Sequence, residues 1–430
     1  MASLSVNRIR DRDCKVVVLG LGYVGLPLAM RLADVGFSTV GYDPNVSKIE
    51  SLRSGRSYVE DVDDRDLSVA LKNSLSVSAD SSVLADFDIA VITVPTPLKG
   101  GHPDLSFVES AGELLSVYLQ AGKCVILEST SYPGTTDDLL TPILCSGSGL
   151  SRAEFFVGYS PERVDPGNPN FSLANTPKLV AAGDSASLDL IAAFYSSMVA
   201  EIHRLNSCAE AEMAKLLENT FRHVNIALVN ELARYAHELS IDIWNVIEAA
   251  GTKPFGFLSF SPGPGVGGHC LPIDPSYLSW KVRNSLGRSF RFVDLANDVN
   301  DHMPEYVIER AQKLLNKLGK PLRNSQICLL GMSYKAGTGD WRESPSLKVL
   351  QGLVAEGADV VVCDPYVRND EQNFDGRLRT FSTEVVSGRD LCIVLVAHPE
   401  FDQQAICESR TLVLDTRNHL AGWRFEGERL

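Results

Sequence analysis

Apolar positions along this chain follow two alternating rhythms. Short, nearly unbroken apolar runs read as buried strands: Lys15–Leu19, Ser38–Tyr42, Phe87–Pro95, Lys123–Thr130 and Glu154–Pro161. Between them apolar residues recur at helical spacing, as from Tyr23 to Val35, Leu105 to Leu119 and Ser185 to Val199. Strands alternating with helices predict an α/β fold, a parallel sheet covered on both faces.

The rhythm changes after Asn206. No Gly or Pro interrupts Ser207–Ser240, and Met213, Leu216, Leu217, Phe221, Val224, Ile226 and Leu228 fall at helical spacing. This predicts one helix roughly 50 Å long, of a kind that links domains or forms a subunit interface. A short helix, Ile243–Ala249, then stops at Gly251. The segment "GTKPFGFLSFSPGPGVGGHC" is too rich in Gly and Pro for a regular element. Helical spacing resumes and runs to about Leu318. From Gln326 a second α/β unit begins as strand, loop, helix and strand, with further strands at Leu391–Ala397 and Thr411–Thr416. It echoes the first, placing Asp364 where the first unit has Asp43.

The chain has 430 residues, 44% of them hydrophobic, so a large core in two or three domains is feasible. A formal charge of −14 excludes an overall basic footprint for nucleic acid or an anionic membrane, while leaving room for a local phosphate site. The nine cysteines include no CxxC pair, which argues against a zinc ribbon or a disulfide framework; no metal is expected. Cys14, Cys328, Cys363 and Cys392 sit in or beside apolar runs and read as small buried hydrophobes. The first residues contain no apolar signal segment, and no stretch approaches the roughly 18 apolar residues of a membrane span. The expected compartment is a reducing cytoplasm.

Gly20, Gly22 and Gly25 form a GxGxxG turn, enclosing Tyr23 and Val24, between a strand and a helix. Asp43 closes the second strand, near the ~20-residue offset of a ribose-binding acid. Glycines let backbone approach a pyrophosphate, and the helix N-terminus offers N–H groups to its charge. Asp43 would accept from both ribose hydroxyls and repel a 2′-phosphate, favouring NAD over NADP. The alternative is a glycine turn in an unrelated α/β fold. The second unit lacks GxGxxG and is not expected to bind a dinucleotide in the same way.

Cys270 stands in "GPGVGGHCLPIDP", Gly263–Pro275. A thiolate is useful beside NAD when an aldehyde must be oxidised further: it adds to the aldehyde, the adduct gives up hydride, and a thioester is left for hydrolysis. Gly265, Gly267 and Gly268 would allow close approach to a ligand, and adjacent N–H groups could stabilise an anion. The alternative is an inert Cys in a glycine-rich turn. Lys215 and Asn219 are spaced i, i+4 and share a helix face, suited to an alkoxide or simply to solvent.

Several ordered motifs now accumulate: "GLGYVGLPLA", "VPTPL", "ESTSYPGTT", "YSPERVDPGN", "EMAKLLENTFRHVNIALVNELA", "GPGVGGHCLPIDP" and "GMSYKAGTGDWRESPS". Across nearly its whole length the chain resembles the UDP-glucose/GDP-mannose dehydrogenase family. The resemblance implies residues 1–206 as a Rossmann domain for NAD, 207–318 as a central helical dimerisation region, and 319–430 as a Rossmann-like domain for the nucleotide-sugar. It implies a four-electron oxidation of a sugar C6 alcohol to a carboxylate, using two NAD. Cys270 matches the family's nucleophile, and Asp274 the acid that supports water or proton transfer. Lys215 and Asn219 match the pair on the C6 oxygen, Glu162 the acid acting with water in thioester hydrolysis, and Thr130 the hydroxyl near nicotinamide and water. Thr96 and Arg342 match cofactor contacts. Arg163, Phe260, Gly267 and Lys335 are expected at the nucleotide-sugar, Lys335 as its basic contact.

Other roles stay open for some of these. Glu162 could pair with Arg163. Arg342 and Glu343 could cap a helix for which Ser344 and Pro345 make an N-cap and first position. His269 is a possible base, although neighbouring side chains diverge. The segment Pro254–Lys281 is most similar to the branch acting on UDP-N-acetylhexosamines, especially UDP-N-acetylglucosamine; UDP-N-acetylmannosamine, UDP-glucose and dTDP-glucose are the alternatives. Two other classes are a two-electron hydroxyacid dehydrogenase and a non-catalytic nucleotide-sugar-binding protein. The long apolar helix predicts a homodimer or larger homo-oligomer.

Overall fold

Lys15–Leu19 opens the first sheet as β1, its four apolar residues after Lys15 all buried. The computed structural model describes residues 4–59, 61–165, 168, 170–268, 271–367 and 374–430. Cys270 and His269 lie outside the described residues. The chain falls into two units: Met1–Glu218 with Ser276–Arg288, and Asn219–Pro275 with Ser289–Leu430.

In the first unit β1 is followed by β2 (Ser38–Tyr42), β3 (Leu75–Ser78), β4 (Ile89–Ile92), β5 (Cys124–Leu127), β6 (Phe156–Tyr159), β7 (Lys178–Ala182) and β8 (Ile202–Leu205). They form one sheet in the order β8-β7-β6-β5-β4-β1-β2-β3. β1 lies parallel between β2 and β4, with Val16 facing Thr39 and Ile89. The order reverses there, which in α/β sheets marks the ligand crevice at the strands' carboxyl ends. The five expected strands are present, β1 and β2 with the expected bounds and β4, β5 and β6 shorter at their ends, while β3, β7 and β8 were not expected. One feature departs from an all-parallel sheet: β6 and β7 pair antiparallel. The stretch joining them contains several Pro and a Gly, and among its described residues no helix carries the chain back for a parallel return.

The long helix exists and spans Cys208–Glu238 without a break. In the second unit β9 (Gln326–Leu330), β10 (Asp359–Cys363), β11 (Leu378–Arg379), β12 (Leu391–Val394), β13 (Val413–Asp415) and β14 (Gly427–Arg429) form a sheet in the order β11-β10-β9-β12-β13-β14. Every neighbouring pair is parallel. Two apolar clusters cover it, one built with Met303–Leu315 and Val349–Leu353, the other with Val386, Phe401 and Ile406. Cys14, Cys328, Cys363 and Cys392 are buried and free, as their apolar settings predict. No helix among the described residues is long and apolar enough to cross a membrane, and no cluster of three or more described His, Cys, Asp or Glu is placed to hold a metal.

Candidate active site

The GxGxxG turn leaves β1 with Gly20 at φ +92°, a backbone region that glycine enters without strain. A Cβ on Gly25 would stand 1.8 Å from the Gly20 carbonyl and 2.4 Å from Thr93 Oγ1. Gly25 is therefore glycine for packing of helix against turn. A Cβ on Gly22 would meet no protein atom within 4 Å. That side of the turn is open, as a pyrophosphate requires. The following helix, Gly25–Asp34, has no side-chain cap and no acid in its first turn, so nothing anionic competes with a phosphate there. Asp43 ends β2 and is nearly buried. Its carboxylate accepts from Leu21 N at 3.1 Å and Asn45 N at 2.9 Å, and pairs with Lys48 Nζ at 3.2 Å. It thus fastens the glycine turn and stands beside it, where a ribose would follow the pyrophosphate. These residues fit NAD. Thr96 and Thr130 lie in the loops after β4 and β5, at the carboxyl edge of the same sheet.

Glu162 follows β6. Its Oε1 accepts from the Arg163 N–H at 2.7 Å and from the Val164 N–H. The Arg163 guanidinium goes elsewhere, to Glu218 at 2.7 Å and the Pro177 carbonyl at 2.6 Å. A Glu162–Arg163 side-chain pair is therefore not the arrangement seen. Instead Glu162 Oε2 lies 3.6 Å from Lys178 Nζ, which also binds Glu128 at 2.9 Å. Tyr195 Oη donates to the same Glu128. Burial pushes Glu128 up from its ordinary range despite the lysine. Burial would lower Lys178, but the Glu128 and Glu162 carboxylates outweigh it and hold it protonated. The sequence reading missed this network because its members are scattered over strands β5 and β7 and the helix Ser185–Ser196. It also missed Glu212, fully buried on the long helix, which accepts from Thr136 N (2.9 Å), Thr136 Oγ1 (2.7 Å) and Gly134 N (2.6 Å). Glu212 anchors the loop that carries Thr130. Lys215, one turn on, is buried at 8% exposure.

In the second unit Asn219 Nδ2 donates to Asp274 Oδ2. Asp274 is 2% exposed and opens the helix Asp274–Leu286. Two of the expected site residues, a long-helix amide and the carboxylate beyond the cysteine, are thus brought together, in a pairing the sequence did not foretell. Phe260 packs edge-on against Phe221 of the long helix at 5.9 Å. The glycines before Cys270 meet protein. Gly263 donates its N–H to Asn230 at 2.9 Å, and a Cβ there would lie 2.4 Å from Arg417 Nη1. A Cβ on Gly267 would lie 2.6 Å from the Glu343 carbonyl, and one on Gly268 would lie 2.9 Å from the Tyr334 ring. Their smallness is used first for close packing of chain on chain. Gly268 N donates back to the Glu343 carbonyl at 3.3 Å.

Arg342 forms a two-point pair with Asp340, at 2.9 and 2.8 Å, with 59% of its side chain exposed. The helix Pro345–Ala355 is capped by Ser344, whose side chain accepts from Ser346 N, with Pro345 at its start. That cap leaves Arg342 outside it. Lys335 is half-buried in the loop after β9. Arg417, unforeseen from sequence, is half-buried with its guanidinium beside Gly263 and donates to the Leu395 carbonyl at 2.9 Å; desolvation there lowers its pKa to about 10.

Residues 14–199 match the NAD binding domain of the UDP-glucose/GDP-mannose dehydrogenase family, residues 209–302 its central domain, and residues 328–422 its UDP binding domain. The UDP-N-acetyl-D-glucosamine 6-dehydrogenase of Pseudomonas aeruginosa is 35% identical over 393 residues, covering 91% of this chain and 92% of the relative. The UDP-N-acetyl-D-mannosamine dehydrogenase of Pyrococcus horikoshii is 34% identical over 412 residues, covering 94% and 95%. The solved structure of a UDP-D-ManNAc dehydrogenase from Pyrococcus horikoshii superposes with a TM-score of 0.87 at 34% identity, over 96% of this chain and 98% of the other. The glycine turn that fits NAD, the motif order and these matches agree: the chain belongs to the UDP-glucose/GDP-mannose dehydrogenase family and is an NAD-dependent nucleotide-sugar dehydrogenase.

Proposed function

We propose that the chain oxidises the C6 alcohol of UDP-N-acetylglucosamine to the carboxylate, in two hydride transfers, as a homodimer. The observation that carries the reading is the Asn219–Asp274 hydrogen bond. It couples a long-helix amide to a nearly buried carboxylate four residues beyond Cys270, a coupling that binding alone would not need. NAD supplies the hydride acceptor, held by Gly20, Gly22, Tyr23, Val24 and Gly25 at its pyrophosphate and by Asp43 at its ribose, with Thr96, Thr130 and Arg342 as further contacts. Lys215 and Asn219 hold the C6 oxygen and stabilise its negative charge. Cys270 Sγ adds to the C6 aldehyde, and after the second hydride leaves it carries the sugar as a thioester. Glu162 and Thr130 orient the water whose oxygen adds to the thioester carbonyl carbon, and Asp274 takes up a water proton. The C–S bond then breaks to release the carboxylate, and that proton passes to the Cys270 sulfur, so the thiol is regenerated. Arg163, Phe260, Gly267 and Lys335 hold the nucleotide-sugar.

The choice of sugar rests on the Pro254–Lys281 segment; relatives of nearly equal identity are named for N-acetylglucosamine and N-acetylmannosamine. The test is NADH release with UDP-N-acetylglucosamine, UDP-N-acetylmannosamine, UDP-glucose and dTDP-glucose. Two NADH per sugar and the highest kcat/KM on UDP-N-acetylglucosamine are expected. One NADH per sugar, unchanged in Cys270→Ser, overturns the thioester route; binding without NADH overturns catalysis; a higher kcat/KM on another donor reassigns the sugar.

A further inference from the structure

The second sheet reverses its strand order between β9 and β12, so its carboxyl edge there is a ligand crevice like that of the first. Gly331 leaves β9 at φ +92°, and the loop that follows carries Lys335. From the other side of the reversal, just past β12, comes His398, with 0% exposure. Its Nδ1 accepts from the Gly337 N–H at 3.3 Å. That assigns the ring proton to Nε2, which lies 3.1 Å from Ser333 Oγ and 3.2 Å from Asp364 Oδ2. Asp364 Oδ2 also accepts from Met332 N at 2.7 Å and Ser333 N at 3.1 Å, and Ser333 Oγ donates to the Lys335 carbonyl at 2.9 Å. One buried imidazole and one buried carboxylate thus fix the loop at 332, 333 and 337, and Ser333 Oγ carries the hold on to the Lys335 carbonyl. The Tyr366 and Phe401 rings, 5.3 and 5.4 Å from the imidazole, restrict its rotation. The arrangement is not a nucleophilic triad: Ser333 and Asp364 meet the same ring nitrogen, and Ser333 Oγ spends its proton on a carbonyl.

We propose that His398 is a positioning residue for nucleotide-sugar binding: its clamp on Ser333–Gly337 sets where Lys335 stands. The same loop rests Tyr334 against Gly268, two residues before Cys270, so one device orders the ground on which the nucleotide-sugar is held. A buried imidazole costs desolvation that an apolar side chain would not, and a fully satisfied polar clamp fixes one loop conformation. The inference rests on the reading of Lys335 as the nucleotide-sugar's basic contact.

The test is steady-state kinetics of the full-length enzyme with His398→Ala, His398→Gln and Lys335→Ala. In His398→Ala the nucleotide-sugar KM should rise about tenfold, while kcat and the NAD KM stay within about threefold. His398→Gln, whose amide can accept and donate, should recover much of the loss. An unchanged sugar KM in His398→Ala, or an equal rise in the NAD KM, overturns the proposal. If His398→Ala does not fold, His398→Leu, which keeps much of the volume but neither accepts nor donates, is read in its place, and a wild-type sugar KM there overturns it. Lys335→Ala with a wild-type sugar KM overturns the underlying reading of the loop. A raised KM in Lys335→Ala beside an unchanged one in His398→Ala overturns the positioning role alone.

Discussion

Two glycines of one turn make opposite demands. A methyl on Gly25 would collide with the Gly20 carbonyl and Thr93 Oγ1, so Gly25→Ala should destabilise the fold by about 1–3 kcal/mol. A methyl on Gly22 touches no protein atom. Gly22→Ala should keep the wild-type melting temperature while raising the NAD dissociation constant about tenfold or more. Thermal melts and NAD titrations of the two variants check the contrast; equal effects on both quantities would refute it. Asp364 makes a second demand at this scale. Burial works to raise its pKa, but the His398 hydrogen bond and the backbone N–H groups outweigh that and hold it at about 2. A depressed carboxylate stabilises the fold above its ordinary pKa near 4, and the contribution fades as pH falls through about 2. Asp364→Asn should therefore lose about 2 kcal/mol at pH 7 in chemical unfolding, with the gap to wild type closing towards pH 2. Gly20, Gly22, Gly25 and Asp43 were legible in sequence because a turn's steric needs are local. His398 was not, because the partners of its ring nitrogens lie 34 to 65 positions away and only the sheet brings them together.

At the scale of elements, β1, β2, β4, β5 and β6 were legible because buried parallel strands are continuously apolar, whereas β3, β7 and β8 were not read from the sequence. Nor does an apolar run give a strand's direction: β7 reads the same either way, and only the connection decides. The reversal matters, because it brings Lys178, the first residue of β7, to Glu128 after β5 and Glu162 after β6. Lys178 is 3% exposed at its side chain and Glu128 is 0% exposed. Removing the lysine alone leaves a buried carboxylate without its counter-charge, which typically costs about 3–5 kcal/mol. Lys178→Met should lose that much stability, measured by chemical unfolding. Lys178→Met combined with Glu128→Gln should regain most of it, because the buried charge goes with the lysine. If the double variant is no better than the single, the strands are not held together by this pair.

At the scale of the whole molecule, the unbroken helix Cys208–Glu238 was legible from the absence of Gly and Pro, but what covers it was not. Within the second unit, Phe221, Leu228, Leu232, Tyr235 and Leu239 follow one another at spacings of 7, 4, 3 and 4, a single stripe along the helix. The stripe remains in the open: Leu228 is 53% exposed, Leu232 45%, Tyr235 54% and Leu239 69%. Each of these side chains would gain about 1.5–3 kcal/mol on full burial, so a contiguous stripe is costly to leave in water and is what an association surface offers. A second copy of the chain meets the need without any further partner, because the same stripe can pack on itself about a two-fold axis. Wild-type enzyme is therefore expected at dimer mass or above in light scattering. Leu228→Glu with Leu232→Glu places two charges in the middle of the stripe. That variant should scatter as a monomer with its helical circular dichroism retained, since neither side chain is needed inside one chain. A wild-type monomer at working concentration, or a double variant that keeps the wild-type mass, would show that the stripe is not the subunit contact.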